Sequence, residues 1–125
     1  MELIKKVNAY MALSVLSKEK FSYKDAYSIA TLKQNLKEDY EFFSNEERAL
    51  VSKVSKKDGN GKVQTFPDGH FEFENEEKAK EYNESMRELS MLDTTAPEKI
   101  KITPPSSITP ELLEVLLDFI DFEEE

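Results

Sequence analysis

"YKDAYSIATLKQNLKEDYEFFSNEERALVSKVSK", residues 23–56, is the stretch whose periodicity decides the fold. Ile29, Leu32, Leu36, Tyr40 and Phe43 recur three and four residues apart. After a lapse at Glu46 and Glu47, the same stripe resumes at Leu50 and Val54. Apolar residues at that period share one face of an α-helix. The spacing predicts one helix over 23–56, about 50 Å long at about 1.5 Å per residue. Ser44 and Asn45 are weak helix formers and mark the expected place for a kink. Ser22, three residues before Asp25, makes a near capping box at the start. So long a helix in a small protein needs a partner along its length, from its own chain or another.

Upstream, Leu3, Val7, Tyr10, Met11 and Ser14 fall at helical spacing, with Ile4, Leu13 and Leu16 beside them. A short amphipathic helix over 2–17 is expected. Asn8 and Tyr10 interrupt its apolar run, and "SKEKF" offers no small-residue cleavage site. It therefore reads as a helix rather than a signal peptide, and a cytoplasmic protein is expected. Downstream, Asp58-Gly59-Asn60-Gly61 supplies residues that tolerate left-handed backbone and stop the long helix. "KVQTFPDGHFEF" (62–73) predicts a tight β-hairpin with Gly69 in the bulge position. That register pairs Phe66 with His70, Thr65 with Phe71 and Val63 with Phe73, and lays Val63, Phe71 and Phe73 against a helix end.

Asn75 caps a second helix, in which Ala79, Tyr82, Met86 and Leu89 continue the stripe to about Leu92. It is about half as long as the first, and is expected to run antiparallel to it. Ile100 and Ile102 alternate in a short strand, and Thr109-Pro110 opens a C-terminal helix. Leu112, Leu113, Leu116, Leu117 and Ile120 give that helix a wide apolar face. Glu123-Glu124-Glu125 is expected to fray. The expected architecture is mostly α with a small β component, in one domain over 1–125. Its parts are an N-terminal helix (1–22), a helix–hairpin–helix (23–92) and a strand plus C-terminal helix (98–122).

Composition narrows the function. The formal net charge is −9, with 26 acidic against 17 basic residues. Such a surface repels phosphate backbones and anionic lipid, so neither direct nucleic-acid binding nor a membrane role is expected. Without cysteine there is no disulfide, thiolate metal site or cysteine nucleophile. Counted from Asp58 as a calcium loop, Lys62, Val63 and Gly69 occupy positions five, six and twelve, so the pattern fails and turn chemistry accounts for the loop. His70 is the only histidine, and no nucleophile is tied to it. The many carboxylates lack the Glu-x-x-His pairs of a di-iron bundle, and three glycines leave no phosphate-cradling loop. The chain is thus expected to have no catalytic, cofactor or metal site. A small metal-dependent hydrolase would need an inward carboxylate cluster.

Most of the aromatics, Tyr23, Tyr27, Tyr40 and Tyr82 among them, are expected in the core. Phe42 flanks the stripe, Phe66 and His70 share the polar face of the hairpin, and Glu46 and Glu47 fall where the stripe lapses. With Leu50 and Val54, on helix left uncovered by the shorter second helix, these residues are the candidates for contact with a partner. Self-association through Leu50 and Val54 would make a homo-oligomer.

The helix with Ala26, Tyr27, Ile29, Lys33 and Asn35 leads into a long charged segment, an Asp/Gly-rich hairpin, a second helix with Glu88-Leu89 near its end, and Ile100-x-Ile102. Over roughly residues 20–120 this order resembles a family of small proteins encoded by phages and prophages of Gram-positive bacteria. The resemblance implies a phage context and a role in assembly or in handling the host, and supplies no catalytic residue. The expected function is a non-enzymatic interaction protein, an assembly factor or small structural component, cytoplasmic or virion-associated, with a phage or host protein as partner. The alternative is an acidic inhibitor of a host nucleic-acid-binding protein, imitating DNA.

Overall fold

The computed structural model describes residues 1–123; Glu124 and Glu125, part of the expected frayed end, lie outside the described residues. The chain forms helices α1 (Leu3–Leu16), α2 (Tyr23–Val54) and α3 (Glu76–Ser90), strand β1 (Ile100–Ile102), helix α4 (Pro110–Leu116) and strand β2 (Ile120–Phe122). It is a mostly helical α+β arrangement with one two-stranded parallel sheet.

The α2 helix is continuous across Ser44 and Asn45. The Ser22 hydroxyl accepts the Asp25 N–H at 3.2 Å and caps it. The return half of the expected capping box is absent, because the Asp25 carboxylate accepts the Thr103 N–H at 3.1 Å instead. Of the expected stripe, Ile29, Leu32, Leu36, Phe43 and Val54 are buried. Two clusters cover it. In the first, Ile29, Leu32 and Leu36 meet Ala9, Ala12, Leu13 and Leu16 of α1 together with Ile102, Leu116, Phe119 and Ile120. In the second, Phe43 meets Leu3 and Val7 of α1, flanked by Tyr40, Met86 and Leu89. The part of α2 that α3 leaves bare is therefore covered by α1 and the C-terminal elements.

The buried face of α1 is turned from the one expected. Ala9 and Ala12 are buried, while Met11 is 47% exposed. Small residues there let α4 approach closely. Lys6 is also enclosed; its ammonium lies 3.2 Å from the Asp39 carboxylate and ties α1 to the middle of α2. Segment 92–94 pairs back on the start of the chain. The Leu3 N–H donates to the Leu92 carbonyl (2.8 Å) and the Thr94 N–H to the Met1 carbonyl (2.7 Å).

The C-terminal helix is shorter than the apolar spacing suggests. It is capped by Thr109, whose hydroxyl accepts the Leu112 N–H at 3.2 Å, and it ends at Leu116. Leu117, expected on the apolar face, is 52% exposed. Ile120 belongs to β2, which pairs with β1 in the register Ile100↔Ile120, Lys101↔Asp121 and Ile102↔Phe122. The reason lies at Phe119-Ile120. Both are enclosed (0% and 1% exposed). Phe119 lies in the turn after α4 and Ile120 opens β2, so the pairing of Ile120 with Ile100 takes the chain out of the helix where both side chains enter the first cluster.

Residues 55–74 also depart from the expected pairing. The Phe66 N–H donates to the His70 carbonyl (3.0 Å) and Thr65 bridges Phe71, as the register predicts. Val63 does not pair with Phe73. It bridges Lys57, while Phe73 bridges Ser55. The cause is the early end of α2. Ser55 turns to extended backbone (φ −85°, ψ 155°), so 55–57 enters as a third segment between the other two. Each segment bridges both others by single contacts, with turns at 58–62 and 66–70. Gly61 (φ +77°) and Gly69 (φ +86°) take left-handed backbone in those turns. Asp58 Oδ1 accepts the N–H groups of Asn60 (2.8 Å) and Lys62 (3.1 Å), so its carboxylate closes the turn.

Phe119→Ala should destabilise the protein by about 3–5 kcal/mol in urea denaturation, whereas Leu117→Ala should stay within about 0.5 kcal/mol. Equal losses at both positions would contradict the short helix and its following strand.

Candidate functional site

The two helix faces that border the second cluster leave a groove open to solvent. On α2, Phe42, Glu46 and Leu50 stand four residues apart and so form one row along the helix. On α3 and just beyond it, Ser85, Glu88, Leu89 and Leu92 form the facing wall. Between them lies a groove of about 320 Å³ lined by Glu46, Leu50, Ser85, Glu88, Leu89 and Leu92. Leu50 and Leu89 are half-buried. Phe42 and Leu92 are each 47% exposed, and Met91 beside Leu92 is 54% exposed. The floor is thus apolar, with Glu46 and Glu88 as its carboxylates. Behind it, Leu89 also packs on the Phe43 cluster, which holds α3 in place.

Charge pairs and rings fix the two helices at one end of the groove. The Lys53 ammonium lies 2.6 Å from the Glu81 carboxylate and Lys78 lies 3.6 Å from it. The hydrogen bond from Lys53 holds the Glu81 carboxyl below the usual carboxylate range. Tyr82 packs against the Phe71 and Phe73 rings, with centroids at 5.8 and 5.4 Å. Burial first, and then the charge of Glu47, push its hydroxyl above the usual tyrosine range. Glu47 does not line the groove.

The structure thus gathers Phe42, Glu46 and Leu50 of the sequence candidates into one surface. Val54 is corrected: it is 0% exposed, and its carbonyl accepts the Glu74 N–H at 3.0 Å. The end of α2 is covered by residues 55–74, so Val54 offers nothing to a partner or to a second copy. Phe66 and His70 lie apart from the groove, beside the turn at 66–70. Their rings stack at 4.4 Å, and His70 Nδ1 is hydrogen-bonded to the Asp68 carboxylate. The His70 backbone N–H (3.1 Å) and then its ring hold the Asp68 carboxyl below the usual range.

Two features escaped the sequence. Tyr23 and Tyr27, expected in the core, are 98% and 75% exposed. They fall six and two residues before Ile29, and so off its line, and only that angle on the helix could have exposed them. The second is a groove of about 410 Å³ between α1 and α2, where Tyr10, Phe21, Lys33, Gln34 and Lys37 line the wall. Among the described residues, no three His, Cys, Asp or Glu side chains are grouped to hold a metal ion, and no helix is long and apolar enough to cross a membrane. Compared with protein-family models, with curated proteins and with solved structures, the chain gives no significant match.

Val54→Asp should cost more than about 4 kcal/mol, since it leaves a carboxylate in an enclosed site, while Leu50→Asp should keep its helical circular dichroism. Loss of helicity in both would remove Leu50 from the surface. The lowered carboxyl of Glu81 favours the folded state at neutral pH, and that contribution fades as pH falls through its depressed range. Lys53→Ala should move the Glu81 titration, followed by carboxyl NMR, upward toward the ordinary value.

Proposed function

We propose that this chain is a non-enzymatic interaction protein of phage origin, an assembly factor or small structural component, whose docking face is the groove between α2 and α3. In this reading the two helices form an antiparallel pair tipped by the turns of 55–74. The observation that carries it is a solvent-open groove with Leu50, Leu89 and Leu92 as its apolar lining and carboxylates Glu46 and Glu88 beside them, continued along α2 by the exposed Phe42. Half-exposed large apolar side chains in a concave strip gain most from an amphipathic helix laid along them. The flanking carboxylates select one with Lys or Arg beside its apolar face. The fitting partner is therefore a basic amphipathic helix of a phage or host protein.

An acidic inhibitor of a host nucleic-acid-binding protein would use the same chemistry with a different partner. Glu76, Glu77 and Glu84 add exposed carboxylates on α3, but the pairing of Glu81 with Lys53 and Lys78 and the presence of Lys80 and Arg87 break any regular row. Affinity capture of the tagged protein from phage-producing cells separates the two readings. Phage structural proteins should come down with the unaltered chain and be lost at least about tenfold with Phe42→Asp or Leu50→Asp. A host protein displaced by added DNA would favour the inhibitor. Capture unchanged by either substitution would rule out the groove.

A further inference from the structure

Charge is divided unevenly along the chain. Residues 17–37 carry five lysines and two carboxylates, while the rest carries 24 carboxylates against 12 basic residues. Lys18 and Lys20 lie in the connection between α1 and α2, and Lys24 in the first turn of α2. Among the described residues, none of these three has a carboxylate within 4.0 Å, although most lysines elsewhere in the chain do. The nearest acid in sequence to Lys24, Asp25, is engaged by the Thr103 N–H. A lysine in the first turn also opposes the helix dipole, so helix stability does not account for Lys24. Beside these cations stand Tyr23 and Tyr27, the most exposed of the large apolar side chains. Four residues apart, they present two rings on one side of the helix start.

We propose that this lysine–tyrosine end of α2 is what the groove receives, from a second copy of the same chain. The reading rests on the groove being a docking face. Tyr23 and Tyr27 lie on the apolar strip of Leu50, Leu89 and Leu92, and Lys20 and Lys24 meet Glu46 and Glu88. Aromatic rings flanked by lysines are the counterpart of an apolar floor flanked by carboxylates, and the chain carries both at opposite ends of one long helix. The two surfaces differ, so the contact is heterologous. Each added copy brings a new groove and a new end, and the assembly grows as an open filament or closes as a ring.

Sedimentation velocity of the full chain across micromolar to millimolar concentration tests this. The mass should rise past the 14.5 kDa monomer and beyond a dimer. Association should weaken at least about tenfold in Tyr23→Ala/Tyr27→Ala, in Lys20→Glu/Lys24→Glu and in Glu46→Lys/Glu88→Lys. A chain carrying both charge reversals should associate again, which misfolding would not produce. A wild-type chain that stays monomeric overturns the self-docking, and so does a mass unmoved by the charge reversals. If such a monomer still captures a partner through Phe42 and Leu50, the docking face stands and only its occupant is wrong. If the monomer instead binds a single-stranded oligonucleotide and Lys20→Glu/Lys24→Glu abolishes it, the basic end serves nucleic acid and the self-docking falls.

Discussion

The apolar stripe of α2 runs from Ile29 to Val54, longer than any other element of the chain could cover alone. The 32 residues of α2 span about 48 Å at about 1.5 Å each. Alone in water such a helix would leave that stripe wet and gain little from its own hydrogen bonds. Every other element takes a share of it. The C-terminal half of α1, with β1, α4 and β2, takes Ile29 to Leu36; the start of α1 and α3 take Phe43; residues 55–74 close over Val54. α1 belongs to both clusters, and Lys6, bonded to Asp39, pins it between them. The groove exists because this cover is uneven. Opposite Phe42, Glu46 and Leu50, α3 reaches the stripe but leaves the adjacent row open.

The helices were legible because their periodicity and their end signals agree. Ser22, Asn75 and Thr109 each accept a backbone N–H at the start of the helix they precede. The stripe on α2 was legible for the same reason. What could not be read was anything that depends on a third element. The spacing of Leu112 to Ile120 fits a longer helix, but Ile120–Phe122 pair with Ile100–Ile102 as a strand, a partner that lies outside the segment. Likewise the pair Val63–Phe73 is correct for two strands in isolation. It gives way because Ser55–Lys57 enters between them.

The groove was half legible. Phe42, Glu46 and Leu50 stand out in the sequence because they border or interrupt the stripe. Glu88, Leu89 and Leu92, which make the facing wall, look like ordinary members of the second helix until the fold brings them opposite. Val54 lies on the stripe and is nonetheless enclosed. Periodicity assigns a residue to a face, and burial depends on what lies over that face. Tyr23 and Tyr27 show the converse, since an aromatic ring in a helical pattern is not thereby buried.

The first cluster joins α1 to β2, about a hundred residues later in the sequence. Ala9, Leu13 and Leu16 share one interior with Leu116, Phe119 and Ile120, and β1 gains its strand partner only at Ile120–Phe122. On the ribosome, α1 therefore emerges with an apolar face that has no complete cover for about a hundred residues of further synthesis, at about 5–20 residues per second. The long helix and the turns that follow it can take shape from contacts near in sequence, but this half of the interior closes last. Until residue 120 clears the exit, the nascent chain shows the face most open to a chaperone or to another unfinished copy.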